Sequence, residues 1–418
     1  MEIVKNMLNG LKKPSGVILA VVLIASVILA TLAYRQATQG PARTAAPVAH
    51  TPQKTPTPTA TPTPTTVPTV MPTPTPTPIV LPVQDSSNIL GIDGDPQTAY
   101  KDIPWVRMGH PNCGWGNLRG DVLKNTLQTL HSKGVRVLFT ICQSSNANLY
   151  DTNLFNDVAQ ARPDAVQCGN EEMKQDANVS FLYVPPENFA KFYDLCEHAM
   201  HAVRPDIPVL LGSLDPHVAG NDYQLLVSQA NYLDQMQNAM NSTVHPGGNW
   251  DWHTHALGLI DSWHNGYWGA NNLSGLFDFW AQQFHVDRNS GELGKHLWVV
   301  EGTGCFKGCG LDPNNAAQVA VAHTLALITD VQTAMQAHVP FFFFSGKDFN
   351  DQGVYWPIGV LDINGQTKPI RQDLGMGART LTLSCPNGNV SVADQEQLLA
   401  RLYARCSLPS NYVSIIDS

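Results

Sequence analysis

The sequence predicts a (β/α)8 barrel of the TIM type, and three observations point to it. From Ser86 onward, short apolar runs alternate with amphipathic segments. The apolar runs are continuous instead of alternating, as in parallel strands covered on both faces. Eight such units fit into residues 86–374, the usual size of a closed eight-stranded barrel.

Taken in order, Ile89–Ile92 reads as the first strand and Trp105–Met108 as the second. Leu123–Leu130 is helical, and Val135–Ile141 is an unbroken buried strand. Leu154–Gln160 is a short helix, and a fourth strand ends in Val166-Gln167-Cys168-Gly169-Asn170-Glu171-Glu172. Pro186–Val203 places Phe189, Phe192, Leu195, Met200 and Val203 at helical spacing behind Pro185-Pro186. Val209–Ser213 is the fifth strand, Tyr223–Met240 a helix and Leu257–Asp261 the sixth strand. Leu276–Phe284 is helical, His296–Val300 the seventh strand, Ala316–Met335 a long helix and Val339–Phe344 the eighth strand. A doubly wound open sheet is the competing architecture, but no Gly-x-Gly-x-x-Gly follows an early strand.

The flanks differ in kind. Residues 1–13 carry Lys5, Lys12 and Lys13, and the uncharged stretch 14–34 is 21 residues long. About 20 apolar residues cross a bilayer as a helix, so 14–34 is expected to be a retained membrane anchor. Cleavage after Ala33 is the alternative, giving a secreted protein. The lysines before the span place residues 1–13 in the cytoplasm and the rest outside the cell. Residues 35–85 are a Pro/Thr-rich linker in which Thr-Pro repeats from Thr51 to Pro82 enforce an extended spacer. Residues 375–418 form an appendage with one helix, Val392–Ala404, for which Ser391 and Asp394 resemble a capping box.

Hydrophobic residues make up 43% of the 418 and charged residues 14%, so the chain can bury a large core. The net charge of −9 and the lack of a basic run after the N-terminus argue against nucleic acid as a partner. Eight cysteines suit an oxidising compartment. Cys305 with Cys309 and Cys385 with Cys406 are the expected bridges, while Cys142, Cys168 and Cys196 read as buried thiols.

In a closed barrel the reactive groups lie at the C-terminal strand ends. Glu171 follows strand four, and Glu301 follows Leu297-Trp298-Val299-Val300 of strand seven. Two carboxyl groups facing each other over a barrel mouth are an acid and a nucleophile for glycosidic bond cleavage, which with retention needs them about 5–5.5 Å apart. Trp115, Trp263, Tyr267, Trp268, Tyr355 and Trp356 cluster in the strand-end loops, and flat aromatics stack on sugar rings. His253 and His255 form a His-x-His that could hold a metal, but they precede strand six, so no metal is assigned. A metal-dependent hydrolase is the least favoured reading.

Gly169-Asn170-Glu171 after one strand and Trp298-Val299-Val300-Glu301 in a later one resemble clan A of the retaining glycoside hydrolases. The resemblance covers about Ser86–Leu374. It implies a retaining glycosidase acting on a β-linked polysaccharide or oligosaccharide without a cofactor. Together with the expected anchor this gives a membrane-anchored extracellular enzyme, expected to be a monomer. Glu171 would be the acid/base and Glu301 the nucleophile. Asn170 would bond the sugar 2-hydroxyl, and Arg107 would lie near the nucleophile. His264 and Tyr267 match the residue near strand six that touches the nucleophile. The chain departs from the clan in two places. Glu172 and Met173 stand where proline is common, which leaves Glu172 as the alternative acid, although Glu171 directly follows Asn170. Strand eight lacks the usual tryptophan and offers Phe343, Phe344 and then Trp356. A barrel that binds glycan without cleaving it is the competing function.

Overall fold

The computed structural model describes residues 90–94, 104–143, 152–173, 183–215, 222–261, 273–302, 316–351, 354–356, 358–366, 381–393 and 395–408. The anchor at 14–34, the linker and Cys305 with Cys309 lie outside them. Among the described residues no helix is long and apolar enough to cross a membrane.

Eight parallel strands close into a barrel: β1 (Leu90–Asp93), β2 (Trp105–Gly109), β3 (Arg136–Ile141), β4 (Ala165–Cys168), β5 (Val209–Leu214), β6 (Ala256–Asp261), β7 (Leu297–Gly302) and β8 (Phe341–Phe344). Each strand pairs with the next, and β8 pairs with β1 to close the ring. The helices that follow the strands are α1 (Gly120–Ser132), α2 (Thr152–Ala161), α3 (Pro186–Val203), α4 (Asp222–Ala239), α5 (Leu273–Gln283) and α6 (Ala316–Ala337). Their sequences account for them. In α1, Leu123, Leu127 and Leu130 fall on one face and are buried. In α3, proline occupies the first turn, where its missing N–H costs nothing, and Phe189, Phe192, Tyr193, Cys196 and Met200 are buried.

Side chains alternate across each strand, and this sorts the barrel interior into layers. Trp105, Leu138, Ala165, Leu210, Trp298 and Phe342 fill an apolar inner cluster. Gly91 stands level with Trp105 and lacks the Cβ that would strike the Phe342 ring. One step further up on the same faces come Asp93, Arg107, Thr140 and Gln167, all buried. A polar layer therefore rests on an apolar one at the C-terminal mouth.

Two irregularities adjust this alternation. In β5 the register against β6 slips between Leu211 and Ser213, so that Gly212 is an extra residue and Ser213 is turned to the interior. In β7, Leu259 pairs with Val299 but Ile260 pairs with Glu301, so Val300 is extra. Val300 already faces the interior, and strict alternation would send Glu301 outward. The bulge turns it inward instead.

The described part of the appendage holds a hairpin besides its one helix. β11 (Leu381–Cys385) and β12 (Gly388–Val392) form a hairpin, and α7 spans Gln395–Tyr403. Val392, predicted as the helix start, instead pairs with Leu381 at the end of β12. The period-two burial of Leu381 and Leu383 explains why strand wins there. The appendage packs on Ala322, Leu325 and Ala326 of α6. A further hairpin, β9 (Phe349–Asp351) and β10 (Val354–Trp356), follows β8.

The cysteine assignments need correction. Cys385 does bridge to Cys406, but Cys142, Cys168 and Cys196 are not free thiols. Cys113 bridges to Cys142 and Cys168 to Cys196. Burial in apolar runs does not separate a thiol from half of a disulfide, because the partner comes from a different element.

Candidate active site

Arg107 organises the mouth. It is fully buried, and each of its donor nitrogens is engaged. Nη1 donates to Asp93 Oδ2 at 2.7 Å and to Glu301 Oε1 at 2.6 Å. Nη2 donates to Asn170 Oδ1 at 2.8 Å. Nε donates to Thr140 Oγ1 and Gln167 Oε1, both at 3.1 Å. One guanidinium thus ties together β1, β2, β3, β4, β7 and the turn after β4. Burial works against its charge, but Asp93 and Glu301 outweigh that and raise its pKa above the ordinary arginine value. Asp93 moves in the opposite sense to an ordinary salt-bridged acid. Burial, aided by the charge of Glu301, overcomes the pull of Arg107 and lifts its pKa to about 7.

The turn after β4 is held as firmly. Asn170 N–H donates to Gln143 Oε1 at 2.8 Å, and Gln143 Nε2 donates to the Asn170 carbonyl at 2.7 Å. Asn170 Oδ1 also accepts from Ser213 Oγ at 2.9 Å. Because arginine can only donate, Oδ1 is the inward atom, and Nδ2 is left as the donating end of the amide. Glu171 follows with φ of +52°, a left-handed conformation that costs a non-glycine residue on the order of 1 kcal/mol. Its N–H is held by the carbonyl and Oγ of Ser213, each at 3.2 Å. The bulge at Gly212 is what presents Ser213 for this task.

Glu171 and Glu172 separate here. Glu171 is partly exposed, whereas Glu172 is fully buried. The Glu172 carboxyl lies where a Cβ on Gly212 would stand, and close to where one on Gly169 would be. Among the described residues no donor meets hydrogen-bond geometry with either of its oxygens. Burial lifts its pKa to about 8, against a weaker pull from the backbone N–H groups of Glu172 and Ser213. A carboxyl sealed in this way has no route to a substrate oxygen.

A cleft of about 560 Å³ opens beside this network, lined by Asp93, Arg107, Trp115, Leu118, Phe344 and Phe349 among others. Trp115 lies over the Arg107 guanidinium at 4.8 Å and is 37% exposed. Gly109 has no Cβ to obstruct the indole.

The structure therefore brings Arg107, Asn170 and Glu301 together and puts Glu171 beside them. Trp356 lies in β10, where its backbone pairs with Phe349. His264 and Tyr267 lie outside the described residues. His253 and His255 turn to different carboxylates, Asp251 at 2.7 Å and Glu197 at 3.2 Å. Asp93, Thr140, Gln143, Gln167 and Ser213 escaped the sequence reading. Asp93 carried the one usable signal, an acid at the end of the first apolar strand.

Neither a protein-family model nor a curated protein sequence matches the chain. Solved structures similar to it include glycoside hydrolases. A glucosidase from Croceicoccus marinus is 12% identical with a TM-score of 0.47, over 71% of this chain and 69% of that one. A family 39 glycoside hydrolase from Bacteroides cellulosilyticus WH2 is 12% identical with a TM-score of 0.43, over 76% and 70%. The GH53 catalytic domain of Ignisphaera aggregans is 15% identical with a TM-score of 0.43, over 70% and 97%. Likeness at these identities and scores carries no inference about chemistry, which has to come from the side chains at the barrel mouth.

Proposed function

We propose that this protein is a retaining glycoside hydrolase acting on a β-linked polysaccharide or oligosaccharide, held outside the cell by its N-terminal segment. The observation that carries this reading is the shared guanidinium. Arg107 binds Glu301 on β7 and Asn170 beside Glu171, so the two strand ends meet within the span of one side chain. Glu301 attacks the anomeric carbon as Glu171 gives its proton to the departing oxygen. The bond to the leaving oxygen breaks and a glycosyl ester of Glu301 forms. Water then attacks the same carbon, loses its proton to Glu171 and frees Glu301. Asn170 Nδ2 is the donor available to a sugar hydroxyl. Glu172 takes no part in this reading, because its carboxyl is sealed from the cleft.

A panel of β-glucans, mannans, xylans and exopolysaccharides tests the proposal with wild type, Glu301→Gln and Glu171→Gln. Wild type should cleave at least one member, with the first product keeping its anomeric configuration by NMR. Glu171→Gln should lose about 10²–10⁴-fold in rate and Glu301→Gln at least as much. Full activity in Glu301→Gln would refute the mechanism, and binding without cleavage by wild type would assign a glycan-binding barrel instead.

A further inference from the structure

Arg107 Nη1 serves two carboxylates at nearly equal distance, Asp93 at 2.7 Å and Glu301 at 2.6 Å. Only Glu301 has a task in the reaction as derived. On the reading that Glu301 is the nucleophile, we propose that Asp93 is a positioning residue that keeps Arg107 paired once Glu301 has become an ester. The ester carries no negative charge. A fully buried guanidinium left without a counter-ion is strongly unfavourable, and the covalent intermediate would bear that cost. Asp93 removes it without movement, since its Oδ2 already lies on the same nitrogen.

The position of Asp93 is fixed from several sides. It stands in register with Arg107 across the β1–β2 pair and with Phe344 across the β1–β8 pair. Its carbonyl accepts from Gly346 N–H at 2.6 Å. The charged groups around it are few. Arg107 comes from β2 and Glu301 from β7, while Thr140 and Gln167 from β3 and β4 are neutral. Lys347 and Asp348, after β8, line the same cleft, and Asp348 accepts from the Tyr355 hydroxyl and Gly359 N–H.

A charge exchange follows from this arrangement. The negative charge of Glu301 helps hold the Asp93 pKa at about 7, and esterification removes it. Asp93 then becomes a stronger acid. Between its lowered pKa and about pH 7 it releases its proton to water in the cleft it borders as the intermediate forms, and above about pH 7 it is ionised beforehand.

Glu301→Gln imitates the ester, being uncharged and of the same size. Wild type, Glu301→Gln and Asp93→Asn are labelled with ¹³C at the aspartate γ-carboxyl and titrated by NMR. The resonance missing from Asp93→Asn should titrate near pH 7 in wild type and at least one pH unit lower in Glu301→Gln. A midpoint that stays or rises in Glu301→Gln overturns the proposal. If Asp93→Asn does not fold, the one resonance that differs between the other two proteins carries the test. The glycan panel separates the failures. An active Glu301→Gln removes the nucleophile itself, whereas an inactive one with an unmoved Asp93 removes only the charge exchange.

Discussion

Two buried acids at the barrel mouth, Asp93 at the end of β1 and Glu172 beyond β4, meet opposite circumstances. Both have their pKa raised by burial, to about 7 and about 8. Asp93 has a cation in contact, which it shares with Glu301, and it borders the cleft. Glu172 fits a recess left by Gly212 and, among the described residues, meets no donor in hydrogen-bond geometry. Burial supplies the shift in both cases, but only the acid with a partner is coupled to the site. Glu171 sharpens the contrast. One residue from Glu172, it is partly exposed and has a left-handed backbone held on Ser213.

Breaking the partnered side should have the largest effect. Arg107→Met leaves Asp93 and Glu301 in the barrel without their cation. Orphaning one partner of a buried pair costs about 3–5 kcal/mol, so urea denaturation should show a loss of at least that size, with activity abolished. Arg107→Met combined with Asp93→Asn should recover part of the stability at alkaline pH, where the unfolded chain ionises Asp93 and the barrel without Arg107 cannot. If the single variant is as stable as wild type, the guanidinium does not organise the mouth.

The unpartnered side should respond through pH. The folded protein keeps the Glu172 proton up to about pH 8, whereas the unfolded chain gives it up near the ordinary value of 4.5. The stabilisation from the neutral acid is therefore complete below pH 4.5 and is lost as pH rises towards 8. Glu172→Gln should flatten this fall, gaining on the order of a few kcal/mol over wild type at pH 8. Some slope should persist to about pH 7, since Asp93 titrates in the same direction. Activity at pH 6 should stay within a few-fold of wild type. A loss matching that of Glu171→Gln would instead make Glu172 the acid.

The legible and illegible parts of this site divide along physical lines. The strands were legible because a continuous apolar run needs only its own residues to be recognised, and Glu301 stood out at the end of one. What such a run does not disclose is which way a side chain turns at a bulge. Val300 and Gly212 shift the register by one residue, and the inward aim of Glu301 and Ser213 depends on them. Thr140 and Gln167 look like ordinary strand residues until Arg107 is seen reaching them across the interior. The choice between Glu171 and Glu172 depends on one backbone angle. Cys142 and Cys168 likewise depend on partners 29 and 28 residues away.

The smallest expected effect lies where the partnered network meets the cleft. Trp115 covers one face of Arg107 and is an exposed aromatic in contact with Glu301's partner. Replacing it with alanine removes a stacking surface and a cation–π contact worth about 1 kcal/mol, but none of the hydrogen bonds that hold the guanidinium. KM should rise about 5–10-fold while kcat stays within twofold, as for an interaction equal in ground and transition states. Trp115→Phe should recover most of the affinity. Gly109→Ala should imitate the loss, because the added methyl occupies the place of the indole. If kcat falls and KM holds, Trp115 serves to exclude water from Arg107 and not to bind sugar, which would draw it into the charge network that Asp93 and Glu301 share.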